Sequence, residues 1–138
     1  MNSRKLIFAA VMLTAALSVD CGTVTAQSSE AQAKIRAAIV QSTAAPEKSI
    51  ELTFKFGSLT ILMVNSTLKG STHQGYADDA HAAMQAAVLA VKDDPKFAKL
   101  NSVTVNYIER TASPQKDKIL DSVEFRKNAS GAFVLHLS

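Results

Sequence analysis

The stretch IELTFKFGSLTILMV, residues 50–64, constrains the fold more than any other part of this 138-residue chain. Ile50, Leu52, Phe54 and Phe56 alternate with Glu51, Thr53 and Lys55, the period-two pattern of a strand buried on one side. Gly57-Ser58 suits a two-residue turn, glycine supplying the positive φ that such turns require. Closing the hairpin there sets Phe56 opposite Leu59, Phe54 opposite Ile61 and Leu52 opposite Met63, so all six apolar side chains share one face. A two-stranded hairpin is marginal by itself, so other elements must cover that face.

Two segments carry the helical spacing to do so. In SSEAQAKIRAAIVQST, Ser29 and Gln32 have capping-box spacing and Ala31, Ile35, Ala38 and Ile39 fall on one stripe, which predicts a helix over about 30–42. Pro46 marks the loop that follows. STLKGSTHQGY is polar with two glycines and reads as a loop. From Ala77 the chain turns alanine-rich, and Ala80, Met84, Ala87, Val88 and Val91 make the stripe of a second helix ending near Lys92. Asp78 and Asp79 sit at its positive end and Lys92 at its negative end, as the helix dipole favours. Asp94-Pro95 then reads as the cap of a short turn that tucks in Phe97 and Leu100.

Three further strands follow. Val103, Val105 and Tyr107 alternate in NSVTVNYIER, Val123 and Phe125 point inward in ILDSVEFRK, and Phe133, Leu135 and Leu137 share a face in FVLHLS. TASPQKDK and NASGA connect them as loops. The expected fold is α+β in two layers, with the order α-β-β-α-β-β-β, a mainly antiparallel five-stranded sheet and the helices on one face. The order over roughly residues 29–110 resembles the layout of the TonB and TolA C-terminal domains and of the BON domain, small modules of the bacterial envelope. That resemblance is one of element order, and implies a fold rather than an activity.

The first 26 residues read as an export signal. Arg4 and Lys5 precede the apolar run LIFAAVMLTAALSV, which is shorter than the ~20 residues of a membrane-spanning helix. Val24 and Ala26 stand at −3 and −1 of a signal-peptidase site, which predicts cleavage before Gln27. Lipidation at Cys21 is the alternative, but Asp20 occupies the position where a lipoprotein signal needs a small residue. The expected mature protein is one domain, residues 27–138, periplasmic or secreted, with no membrane anchor. Without Cys21 it has no cysteine, which excludes disulfides and thiolate chemistry. Of the formal charge of +3, the signal carries +1 and the remainder +2, with the signs interspersed along the chain. No run of one sign is long enough to predict nucleic-acid or anionic-membrane binding.

No nucleophile elbow, phosphate loop, zinc signature or dinucleotide fingerprint is present, so no catalytic residue, metal or cofactor is expected. His73, Tyr76, Asp78 and His81 cluster around the start of the second helix, and are the candidate polar groups of a small-ligand site or a minor enzyme. Solvated helix-end residues would look the same. Asp121 is odd, because strict alternation puts it on the face of Ile119, Val123 and Phe125. Asn65 and Asn128 begin glycosylation sequons that read as chance matches. On the sheet face away from the helices, Leu62, Val64, Ile108, Val134 and His136 share one parity and form a candidate contact surface. The leading expectation is therefore a small exported, non-catalytic interaction or accessory module of the envelope. It would meet an envelope protein or a second copy through that open face.

Overall fold

In a computed structural model, which describes residues 30–137, the hairpin forms from strands β1 (Ile50–Lys55) and β2 (Ser58–Val64). The apolar residues keep the expected face, but the register differs by two: Phe54 pairs with Leu59, Leu52 with Ile61 and Ile50 with Met63. The turn residues are Phe56 and Gly57, both at positive φ (51° and 77°), as a type I′ turn demands. Tertiary packing selects this turn. A Cβ built on Gly57 would stand 2.8 Å from the Lys99 carbonyl oxygen, and the Gly57 carbonyl accepts from Asn101 N at 2.8 Å. The consequence is that Phe56 leaves the core and stands 98 % exposed, while Phe54, at 37 %, is covered only in part by the Phe97 ring at 4.7 Å.

Helix α1 spans residues 30–42 and helix α2 spans His73–Val91. The second helix starts four residues earlier than its alanine run. Thr72 caps it, its hydroxyl accepting from Gly75 N at 3.2 Å, which draws His73, Gln74, Gly75 and Tyr76 into the first turn. Of the expected stripe, Ala80, Met84, Ala87 and Val91 are buried and Val88 is half-buried, and Ala83, outside that stripe, is fully covered as well. Such small side chains let the helix backbone lie close on the sheet.

Because α2 carries the chain back to the end where β2 began, strand β3 (Ser102–Ala112) enters parallel to β2. The sheet is therefore mixed rather than mainly antiparallel. Its order is β1-β2-β3-β4-β5, with β4 (Gln115–Lys127) and β5 (Phe133–His136) added antiparallel. The elements otherwise follow roughly the expected order, with 3-10 turns at Glu47–Ser49 and Pro95–Phe97 between them. The segment expected as the loop TASPQKDK is mostly strand: β3 and β4 run on past the end of β2 as a two-stranded arm that turns at Ser113-Pro114. Ladder hydrogen bonds with polar side chains on both sides suffice there, so apolar alternation does not mark it.

The register slips between Tyr107 and Ile108, where Leu120 of β4 has no partner. That bulge resolves the oddity at Asp121. It stays on the inner face opposite Tyr107, whereas Ile119 turns to the outer face opposite Ile108. The core gathers Ile35 and Ile39 of α1, the inner stripe of α2, and Leu59, Ile61, Met63, Val103, Val105, Tyr107, Val123 and Phe125 of the sheet. The export signal, its cleavage position, Cys21 and the Ser29 cap lie outside the described residues.

Candidate functional site

The four polar residues singled out around the start of α2 do not converge. A helix turns about 100° per residue, so Tyr76 faces the sheet, Asp78 faces solvent and His81 lies on the flank toward β4 and β5. Tyr76 is core, its ring 4.7 Å from that of Tyr107. Asp78 is exposed and accepts from Gln74 Nε2 at 2.8 Å, one helical turn earlier. His81 lies 5.9 Å from the Phe125 ring, at the rim of a surface groove. His73 is exposed, and its Nδ1–H donates to Asp121 Oδ2 at 2.8 Å.

That last contact belongs to a polar cluster which the sequence only hinted at through Asp121. Tyr107 is fully buried, and its hydroxyl donates to Asp79 Oδ2 at 2.6 Å. Burial, the bond to Asp79 and the nearby charges of Asp79 and Asp121 together push the Tyr107 phenol well above its ordinary range. It is a neutral donor and no base. Both carboxylates are engaged, Asp79 with the phenol and Asp121 with His73 and with Ser122 N at 2.8 Å. The Asp121–His73 pair orients an imidazole, yet neither of the two surface grooves described below includes it. Among the described residues no three metal-binding side chains stand together. The cluster clasps the start of α2 to β3 and β4.

The outer sheet face differs from the expected contact surface. Val64 and Ile108, its intended centre, are 9 % and 3 % exposed. Arg110 lies two residues beyond Ile108 on the same face. Its guanidinium forks onto both Glu51 oxygens of β1 at 3.1 and 2.9 Å, and onto both Asp117 oxygens of β4 at 2.8 and 3.0 Å. Strand β2 lies between β3 and β1, and the register puts Val64 beside Ile108, so the clamp ties β1, β3 and β4 together on this face. The double clamp holds the guanidinium firmly charged and holds the Asp117 carboxyl below its usual range. Leu62 is half-buried beside them. Val134 and His136 belong to β5, two strands away from β3. The five residues are thus no continuous patch.

Exposed apolar surface gathers instead at the β5 edge of the sheet. Val134, Leu135 and Leu137 are 46 %, 45 % and 78 % exposed, and FVLHL contains no acid, lysine, arginine or proline. Alongside runs a groove of about 550 Å³ between α2 and β5, lined by His81, Met84, Val88, Leu89, Lys92 and Phe133 among others. The opposite edge is guarded. Arg36 Nε donates to the Ile50 carbonyl at 3.2 Å, Glu51 and Lys55 add charge to β1, and the groove there carries Arg36, Glu47 and Lys48. What made β5 hard to single out is that its apolar alternation looks like that of any strand. Its edge position leaves it open, no further helix covering it among the described residues.

No family model, curated protein or solved structure matches the chain.

Proposed function

We propose that the protein is a small exported, non-catalytic interaction module that self-associates through β5. The observation that carries this reading is the contrast between the two sheet edges, one blunted by Arg36, Glu51 and Lys55 and the other apolar and without charge. An open edge strand offers unpaired N–H and C=O groups, and side chains of its own kind complete a mate.

The occupant is a second copy because the segment is self-complementary. Reversed about Leu135, FVLHL places Leu135 against Leu135 of the partner strand, Val134 against His136, and Phe133 against Leu137. A two-fold axis normal to the sheet keeps all the helices on one side. The Phe133, Leu135 and Leu137 side chains then form one apolar stripe across the seam, and no like charges meet. The pairing of five residues falls short of the roughly 800 Å² per partner of a standard interface, so the adjoining α2 groove with exposed Leu89 must contribute. The expected affinity is on the order of micromolar.

Export rests on the N-terminal pattern of Arg4, Lys5 and an apolar run before Val24 and Ala26, which supports a periplasmic or secreted location. The absence of a reactive constellation among the described residues supports a binding role over an enzymatic one. Sedimentation velocity over a concentration series tests the reading. The purified protein should show a reversible monomer–dimer equilibrium, and Leu135→Lys should be monomeric with an unchanged circular dichroism spectrum. A protein that stays monomeric at millimolar concentration overturns it.

A further inference from the structure

Independently of β5, the opposite corner of the sheet assembles an aromatic tip with a basic rim. Phe56 is a bulky residue at φ 51°, a conformation that costs a non-glycine side chain energy and that asparagine or glycine adopts more readily. It gains no packing in return, being 98 % exposed. Phe54 and Phe97 stack immediately behind it. The turn is welded to the 98–101 loop through the Lys99 carbonyl packed against Gly57 and the Asn101 N–H donated to the Gly57 carbonyl. That junction joins the segment carrying Lys55 to the one carrying Lys96 and Lys99, about 40 residues further along the chain. All three are exposed, and none forms an ion pair among the described residues. Two acids lie nearby. Asp94 is occupied in accepting from Lys96 N at 3.0 Å, and Asp93 is solvent-exposed at the end of α2.

We propose that this corner docks reversibly on an anionic lipid surface, with Phe56 entering the headgroup region and Lys55, Lys96 and Lys99 meeting lipid phosphates. A single rigid aromatic at a hairpin tip, accompanied by flexible cations, matches the interface between headgroups and acyl chains, where aromatic rings and lysines both reside. A protein partner would instead need a pocket of its own to take the ring, whereas a lipid surface takes a lone exposed ring with cations beside it. No helix among the described residues is long and apolar enough to cross a membrane, so this docking is peripheral.

The test is co-sedimentation of the purified protein with sucrose-loaded vesicles at low salt. Vesicles of phosphatidylcholine containing phosphatidylglycerol should bind at least about tenfold more tightly than phosphatidylcholine alone, and added salt should release the protein. Phe56→Asn, which fits the turn better, should lower vesicle affinity about fivefold or more while leaving the fold and any self-association intact. Lys96→Glu combined with Lys99→Glu should abolish the preference for anionic lipid. Equal binding to both vesicle types, or full affinity in Phe56→Asn, overturns the proposal. So does Phe56-dependent capture by polyglutamate without vesicle binding, which would point to an acidic protein instead.

Discussion

The Tyr107 hydroxyl donates to the Asp79 carboxylate at 2.6 Å, joining a fully buried strand residue to the second turn of α2. A hydrogen bond to a charged acceptor is worth roughly 1.5–3 kcal/mol, and the hydroxyl has no water to fall back on. Tyr107→Phe and Asp79→Ala should each lower unfolding stability by about that amount. The double variant should cost much less than their sum, because the two changes remove one interaction. Chemical denaturation of the four proteins checks it, and additive losses contradict the pairing.

The same phenol predicts an alkaline limit. Burial and the neighbouring carboxylates raise the Tyr107 pKa above its unfolded value of about 10, favouring the neutral form in the fold. This stabilisation is complete below pH 10. Above it, the unfolded chain releases a proton that the folded protein keeps. Stability should therefore fall by up to about 1.4 kcal/mol per pH unit from this group alone. Tyr107→Phe should flatten that part of the profile, and thermal melts between about pH 9 and 11, one pKa unit either side of the unfolded value, measure it.

Val64 is buried, so a charge placed there has nowhere to go. Val64→Lys should cost about 3 kcal/mol or more, as a buried unpaired ammonium does. Thr53→Ala, exposed on β1, should stay within roughly 0.5 kcal/mol. A folded, fully stable Val64→Lys protein contradicts the burial of that position.

Phe56→Asn should stabilise the fold by about 1 kcal/mol, relieving a strained φ in a turn that asparagine favours. For a domain of this size the melting temperature should rise about 4–8 °C. A fall would mean that the exposed ring supports the fold.

How much of this was legible depends on which physics each element obeys. Ile50, Leu59, Ile61 and Met63 of the hairpin, most of the α2 stripe and the inward Val123 and Phe125 follow from periodicity, and the structure buries them as the pattern predicts. Asp121 was recognisable as an intruder on an apolar face, though its His73 partner was not. The rest needed tertiary information. Packing of Gly57 on the Lys99 carbonyl moved the turn by one residue and expelled Phe56, where local preference favours Gly57-Ser58. The Thr72 cap drew Tyr76 out of a presumed loop and into the core. Arg110 reads as an ordinary surface cation until the strand order puts Glu51 and Asp117 on either side of it. Parity alone left Val64 and Ile108 open, whereas the structure buries both.

The central claim, a two-fold seam through Leu135, is tested most directly by cysteine cross-linking in a Cys21→Ser background. Only residue 135 meets its own copy in the proposed register, with Cβ atoms about 4.5–5.5 Å apart. Leu135→Cys should oxidise rapidly to a disulfide-linked dimer, while Val134→Cys, which faces His136 of the other copy, and Thr53→Cys on β1 should not. Equal cross-linking of all three variants, or preferential cross-linking at Thr53→Cys, would contradict the β5 seam.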